Sequence, residues 1–162
     1  MDLALAALLL ATVTTGLAAG VFVLYQHTVM PGLRSTDDQT FVAAFQAIDR
    51  AIINPWFMLT AFFGALVFTG AATLLYIGED AFWWILSAFV LYVVTVVITV
   101  AVNVPRNDAI KAAGDPTQMD VAAARATFDE ARWVRWNLLR VIANSAAFGL
   151  LAWALVVAGG AR

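Results

Sequence analysis

Four long apolar stretches dominate the pattern of hydrophobic and polar positions along this chain. They cover about residues 3–30, 55–77, 81–102 and 138–160, and each is close to or above the ~20 residues that a helix needs to cross a bilayer. Backbone amides and carbonyls cannot stay unpaired in lipid, so these stretches must be helical. The pattern predicts an all-α fold: one integral membrane four-helix bundle that occupies residues 1–162.

Two connections between these helices carry helical patterns of their own. Apolar residues recur at three- and four-residue steps from Phe41 to Ile52, which predicts an amphipathic helix at the interface or over the bundle mouth. Asp115-Pro116-x-Gln118 has the form of a helix start, which predicts a long helix 4 that extends out of the membrane. We expect Pro31 to end helix 1 and Pro105 to end helix 3.

The composition supports a membrane protein without a soluble enzyme domain. Of the 162 residues, 63% are hydrophobic and 12% are charged, about half the charged fraction of a soluble domain. The absence of cysteine excludes disulfides and thiolate metal sites. With a net charge of −2, the chain lacks the basic surface that binds nucleic acid. The expected surroundings of this apolar chain are the lipid bilayer.

The basic residues are distributed unevenly between the two ends of the bundle. Eight of the nine lie after helix 1 or between helix 3 and the start of helix 4, and only Arg162 belongs to the opposite side. Excess lysine and arginine mark the cytoplasmic side of a membrane. We therefore predict a plasma or inner membrane protein with loops 31–53 and 103–118 in the cytoplasm and both termini outside.

Polar residues at the start of the fourth span follow the helical period. They lie within an arc of about 140° on one face, and they are Asp129, Arg132, Trp133, Trp136, Asn137, Arg140 and Asn144. A charge at the centre of a membrane helix costs about 2.5–3.5 kcal/mol on insertion scales. This face therefore needs partners inside the protein or in a water-filled pocket.

The topology brings further polar residues to the same end, where helices 1 and 3 finish and helices 2 and 4 begin. A mostly apolar cavity with a few convergent polar groups is the usual form of a small-molecule site. We predict such a pocket with His27, Asn103 and Arg140 as catalytic residues. The predicted substrate-binding residues are Asn54, Asn107, Asp129, Arg132, Trp133, Trp136 and Asn137.

Several of these residues also permit simpler or different interpretations. Asp129 and Arg132 could form a helix-surface ion pair, and the arginines could anchor helix 4 to lipid head groups. His27 could be a haem axial ligand or a proton carrier, although bis-histidine haem would then require a dimer. Gly16 and Gly20 form a small-xxx-small step that could support a homo-oligomer.

Four segments of the chain resemble the anthrone oxygenase-like family of small four-helix membrane proteins. They are Val29-Met30-Pro31-Gly32-Leu33, Asn54-Pro55-Trp56-Phe57, Asn103-Val104-Pro105-x-Asn107-Asp108 and Arg132-Trp133-x-Arg135-Trp136-Asn137-x-x-Arg140. Some members of this family are assigned the oxidation of polyketide anthrones to anthraquinones with O2. The resemblance implies a membrane-embedded oxygenase or oxidoreductase that acts on a hydrophobic aromatic, anthrone- or quinone-like molecule.

The residue types at the predicted pocket suit a planar, partly anionic ligand. Arginine offers a rigid fork of donors and stacks on aromatic rings, while asparagine both donates and accepts hydrogen bonds. An arginine near an acidic anthrone would stabilise its enolate, and the enolate can react with O2 without a metal. Cofactor-free chemistry and haem b both remain open. So do a non-catalytic haem-, quinone- or lipid-binding role and a transport-accessory or structural role.

Overall fold

The computed structural model of the chain describes residues 2–160, which form helices joined by turns. The helices are α1 (Leu3–Arg34), α2 (Asp38–Ile52), α3 (Phe57–Leu75), α4 (Phe82–Ala112), α5 (Val121–Phe128) and α6 (Glu130–Gly160). Four segments are long and apolar enough to cross a membrane: α1, α3, α4 and the segment Val121–Gly160 that contains α5 and α6. The predicted all-α membrane bundle is confirmed.

The four long helices form a closed bundle with antiparallel neighbours. Helix α6 packs against α1 and α4, and α3 packs against the same two helices from the other side. A Cβ atom on Gly16 would lie 2.9 Å from the Phe148 ring, so this glycine lets α1 and α6 approach within one chain. A Cβ atom on Gly20 would have no neighbour within 4 Å among the described residues. The homo-oligomer predicted from the Gly16 and Gly20 step stays a prediction.

The two ends of the bundle differ in chemistry. The terminal end holds Asp2, the turn at 76–81 and Gly160, whereas the polar end holds the connections at 35–37, 53–56 and 113–120. An apolar core that includes Leu8, Ile85 and Leu151 fills the half of the bundle near the terminal end. The buried charged residues Asp49 and Arg140 lie toward the polar end.

Three membrane helices contain a π-helical segment near the polar end. These segments are Tyr25–Val29 in α1, Phe57–Phe62 in α3 and Thr99–Asn103 in α4. A π turn carries i→i−5 hydrogen bonds: the Met30 N–H donates to the Tyr25 carbonyl, and the Val104 N–H donates to the Thr99 carbonyl. Such turns are rare in proteins as a whole, and those that occur often lie at functional sites.

The π segments explain why two predicted helix ends were wrong. A proline removes one backbone donor and crowds the carbonyl four residues earlier, so we expected helices to end at Pro31 and Pro105. A wider turn just before each proline accommodates the ring, and neighbouring groups can satisfy the freed carbonyls in a membrane bundle. As a result α1 continues to Arg34 and α4 continues to Ala112.

The predicted start of helix 4 at Asp115 was also wrong. Asp115 forms a turn in which its carboxylate accepts a hydrogen bond from the Thr117 N–H at 2.9 Å. The helix begins only at Val121, where the Asp120 carboxylate accepts from the Ala123 N–H at 2.9 Å. It then breaks at Asp129, which has a φ of 53°, a left-handed conformation that aspartate tolerates better than most residues.

Helices α2 and α5 form a cap across the polar end of the bundle. A position over the bundle mouth is one of the two that the sequence predicts for the amphipathic helix. Phe41, Phe45 and Phe128 lie in one buried cluster with Trp133. Arg125 secures the cap, since its guanidinium donates to the Asp38 carboxylate at 2.9 Å and lies 4.2 Å from the centre of the Phe41 ring. The cap therefore covers the part of the bundle where the polar residues converge.

Asp37 begins the cap helix α2. Its carboxylate accepts hydrogen bonds from the backbone N–H and the hydroxyl of Thr40, both at 2.9 Å. The backbone bond and then the hydroxyl bond favour the charged form, and they hold the pKa of Asp37 below its usual value.

Candidate active site

A cavity of about 240 Å³ lies under the cap at the polar end of the bundle. This volume is at the small end of ligand pockets, which measure roughly 300–1,000 Å³. All three π segments contribute to its lining, through Tyr25 from α1, Phe57 and Phe62 from α3, and Thr99 from α4. The irregular turns of the bundle therefore converge on one chamber.

Arg140 is one of four charged residues in the wall of this cavity, and only 5% of its surface is exposed. Its Nη2 donates to the Asn137 side-chain oxygen at 2.8 Å, and its Nη1 donates to the Thr99 hydroxyl at 3.2 Å. Its Nε has no acceptor among the residues that the structure describes. Within residues 2–160 no carboxylate forms an ion pair with Arg140, so this charge lacks a counter-ion.

Aromatic rings hold the Arg140 guanidinium from two sides. Its central carbon lies 4.6 Å from the centre of the Phe22 ring and 5.3 Å from the Trp133 ring. The faces of aromatic rings attract cations, and a desolvated pair of this kind contributes up to about 2 kcal/mol. The rings fix the position of the guanidinium without neutralising it.

Asn137 holds Arg140 in position through a hydrogen bond. Its side-chain amide is fully buried and donates to the Phe22 carbonyl at 3.1 Å and to the Gln26 side-chain oxygen at 2.9 Å. These two bonds orient the remaining acceptor of Asn137 toward Arg140. Asn137 therefore connects α1, α6 and the guanidinium in one network.

A chain of polar groups leads from the cavity wall to the surface of the polar end. The Trp133 indole donates to the Asn107 side-chain oxygen at 2.8 Å, and the Asn107 amide donates to the Asp49 carboxylate at 2.6 Å. The other oxygen of Asp49 lies 2.7 Å from the Lys111 amine. Lys111 also pairs at 3.0 Å with Asp108, whose side chain is 62% exposed.

Tyr25 stands between these two polar groups. It lines the cavity, and its hydroxyl interacts electrostatically with both Asp49 and Arg140. Its ring centre lies 5.8 Å from that of Trp133. Among the described residues none forms a hydrogen bond with the Tyr25 hydroxyl, which leaves this group available to a ligand or a water molecule.

A family model for anthrone oxygenase matches residues 54–150, more than half of the chain. The chain belongs to the anthrone oxygenase family. No curated protein and no solved structure matches it.

The predicted site residues that cluster here lie within the part of the chain that the anthrone oxygenase model matches. Asn107, Trp133 and Arg140 line the cavity. Asn137 and Asn103 are fully buried behind the wall, and the Asn103 amide donates to the Trp133 carbonyl at 3.3 Å. The Asn103 side-chain oxygen has no hydrogen-bond partner within the described part of the chain.

The structure places Asn54 outside the cavity, in spite of its place in a segment that resembles the family. Its side-chain oxygen accepts from the Phe57 N–H at 3.0 Å, and its amide donates to the Ala51 carbonyl at 2.9 Å. Both ends of the side chain therefore serve the local backbone. Asn54 has the role of a helix cap.

Three members of the predicted polar face also lie outside the lining. Asp129 and Arg132 are exposed, and Asp129 uses its carboxylate to accept from the Arg132 N–H at 3.2 Å. The two side chains form no ion pair. Trp136 is half-buried on the outer side of α6 and does not line the cavity. The inward polar face of α6 is narrower than predicted. Its buried members are Trp133, Asn137, Arg140 and Asn144.

His27 is exposed on the surface of α1 and does not line the cavity. The predicted catalytic and haem-ligand roles of His27 therefore do not fit this chamber, whose lining contains no imidazole. Among residues 2–160 no group of three or more histidine, aspartate or glutamate side chains could hold a metal ion.

Phe22, Tyr25, Asp49 and Lys111 are among the residues of the site that were not predicted from the sequence. In the sequence, Asp49 lies off the apolar stripe of the amphipathic helix. A second face of the same helix is formed by Val42, Phe45, Gln46 and Asp49, which also follow the helical period. All four side chains are buried in the cap. Both Tyr25 and Asp49 precede the residues that the family model matches.

Proposed function

We propose that this membrane protein is an O2-dependent oxidoreductase that oxidises a hydrophobic aromatic molecule of the anthrone or quinone type in the cavity under the cap. The observation that carries the proposal is Arg140: a buried cation without a counter-ion in an aromatic chamber. A charge of this kind is compensated when the bound molecule becomes an anion. Membership of the anthrone oxygenase family supports the type of reaction.

In the proposed reaction Arg140 stabilises a substrate enolate. An anthrone carries a CH2 group between two aromatic rings, and loss of one proton spreads negative charge over the rings and the ketone oxygen. A fixed guanidinium in a site that excludes water is worth far more to this charge than the same group in water. Phe22 and Trp133 hold the guanidinium in place and offer flat surfaces to the rings.

The enolate then reduces O2. One electron passes from the enolate to O2, and the two radicals combine at the former CH2 carbon to give a peroxide anion. This anion takes back the proton that the substrate lost, and the hydroperoxide then loses water to leave a second carbonyl. The overall change, CH2 + O2 to C=O + H2O, is balanced and needs no further reductant.

The proton that the substrate loses must be held beside the chamber until the peroxide anion takes it back. Tyr25 faces the cavity, and its hydroxyl is within electrostatic reach of Asp49. The hydroxyl accepts the substrate proton and passes its own proton to Asp49, through one water molecule where the direct distance is too long. Asp49 is paired with Lys111 at the edge of the chamber, where the polar end meets water.

The experiment that tests the proposal uses the purified protein in lipid nanodiscs with anthrone and ¹⁸O2. We expect one O2 consumed for each anthraquinone formed, with one ¹⁸O in the new carbonyl. A protein that binds anthrone but consumes no O2 above the protein-free rate would be a non-catalytic quinone- or lipid-binding protein. An absorbance spectrum of the same sample tests for haem, because haem b gives a Soret band.

A further inference from the structure

The cavity is open on one side of the bundle. Val100 on α4 and Phe63 on α3 line it, yet 60% and 46% of their surfaces are exposed. A residue that both lines a cavity and is largely exposed lies at its opening. Arg140, on the opposite wall, is only 5% exposed. By the same criterion Ile53, which is 58% exposed, and Asp108, whose side chain is 62% exposed, extend the opening toward the polar end. The chamber therefore opens between α3 and α4, along a side that continues to the polar end.

The π segments explain why α3 and α4 separate at this level. Phe57–Phe62 packs against α1, and Thr99–Asn103 packs against α6, so each segment follows a different neighbour. Closer to the terminal end the two helices pack together, and the Tyr92 hydroxyl donates to the Phe62 carbonyl at 2.6 Å. This bond marks the edge of the opening that is nearer to the terminal end.

The opening lies at the depth of the acyl chains. Val100 is next to Thr99, which bonds Arg140, and Lys111 is eleven residues further along α4, about 16 Å at 1.5 Å per residue. The neighbouring exposed residues on α4 are apolar, among them Val97 at 58%. The charged groups Asp49 and Lys111 mark the opposite, water-facing end of the chamber.

We propose that the ligand enters laterally from the bilayer between α3 and α4, as a neutral aromatic weak acid that ionises only inside the chamber. This inference rests on the proposed function and names its substrate class. A permanent anion such as a carboxylate or sulfonate cannot cross the acyl layer without a large desolvation penalty. A neutral phenol or anthrone partitions into lipid, reaches Arg140 and then loses its proton there.

In this arrangement Arg140 stabilises the anionic ligand and Asp49 receives the proton. The anionic form of the ligand stays at the deep end beside Arg140, and the proton is held at the end with Asp49 and Lys111 until the peroxide anion takes it back. The chamber thus selects molecules whose neutral form is lipid-soluble and whose conjugate base is delocalised over aromatic rings.

The test compares Val100→Trp with Val97→Trp in nanodiscs, with anthrone as the probe and its association rate as the readout. Both valines are lipid-exposed to the same degree, but only Val100 lines the opening. We expect association to slow about tenfold in Val100→Trp, a barrier increase of about 1.4 kcal/mol, and to remain near the wild-type rate in Val97→Trp. Phe63→Trp, on the other side of the opening, serves as the second blocking variant should Val100→Trp fail to fold.

Two results would overturn lateral entry. One is equal association rates in the blocking and control variants. The other is binding of anthraquinone-2-sulfonate, a permanent anion, as fast as that of anthrone. The proposed oxidation is judged separately: anthrone that enters through the opening but consumes no O2 refutes the oxidation alone. Oxidation that continues at the wild-type rate in both blocking variants refutes the opening alone.

Discussion

Arg140 is the residue where stability and function oppose each other. Burial of a cation without a counter-ion carries a desolvation penalty of several kcal/mol, and the hydrogen bonds to Asn137 and Thr99 offset only part of it. We therefore expect Arg140→Met to unfold at the wild-type temperature or above it, since an apolar side chain of similar length removes the penalty. Thermal unfolding in detergent measures this. A large fall in the unfolding temperature would make Arg140 a structural residue.

Tyr25 provides a second residue-level prediction, concerning the proton. Tyr25→Phe keeps the ring contact with Trp133 and removes only the hydroxyl. We expect kcat for anthrone oxidation to fall by about 10²-fold, the lower range of general acid–base contributions, with little change in KM. A purely structural role would not alter the solvent deuterium isotope effect, whereas loss of the proton route should increase it. An unchanged kcat would remove Tyr25 from the route.

At the scale of the helix, the apolar spans were predictable and their interruptions were not. Hydrophobic length determines where a helix can cross the membrane, and this property is local to the sequence. Side chains of other helices donate to carbonyls at or beside two of the π segments. For α1 and α3, the Asn137 amide donates to the Phe22 carbonyl and the Tyr92 hydroxyl donates to the Phe62 carbonyl. Such partners are far away in sequence, so the π segments could not be predicted from local pattern.

The start of α2 gives a prediction about pH. Asp37 accepts two hydrogen bonds from Thr40, which lower its pKa below 3.8. A carboxyl group with a lowered pKa stabilises the fold above its unfolded pKa, and this contribution disappears as the pH falls through the folded value. We expect Asp37→Ala to lower the unfolding temperature at neutral pH, and we expect this effect to disappear as the pH falls through the lowered pKa of Asp37. Asp37→Asn, which still caps but does not titrate, is the control; circular dichroism melts at several pH values measure both.

For the whole molecule, topology brought together part of the site and missed the rest. The alternation of four spans placed Asn107, Trp133 and Arg140 at one end, and the structure brings these three into one cavity wall. Asp49 reaches that cavity only because the cap folds α2 across the bundle. The direction in which an amphipathic helix faces its partners depends on tertiary packing, so the sequence pattern left the role of Asp49 unpredicted.

The orientation of the molecule in the membrane remains a prediction of the charge distribution. Ser35 lies at the polar end and Glu79 at the terminal end, both exposed, and the chain contains no cysteine. Single substitutions Ser35→Cys and Glu79→Cys should therefore react with a membrane-impermeant maleimide from opposite sides. We expect Ser35→Cys to react from the cytoplasm. Reaction of Glu79→Cys from the cytoplasm would reverse the orientation.

The most direct test of the account is the rate of anthrone oxidation in Arg140→Lys beside Arg135→Lys. Both substitutions keep a positive charge, but Arg135 is exposed on the outer face of α6 and Arg140 is buried in the cavity wall. Lysine anchors to head groups as arginine does, yet it cannot reproduce a planar fork held between two aromatic rings. We predict that Arg140→Lys folds and loses most binding and turnover, while Arg135→Lys behaves as the wild type. Equal activity in the two variants would contradict a site centred on Arg140.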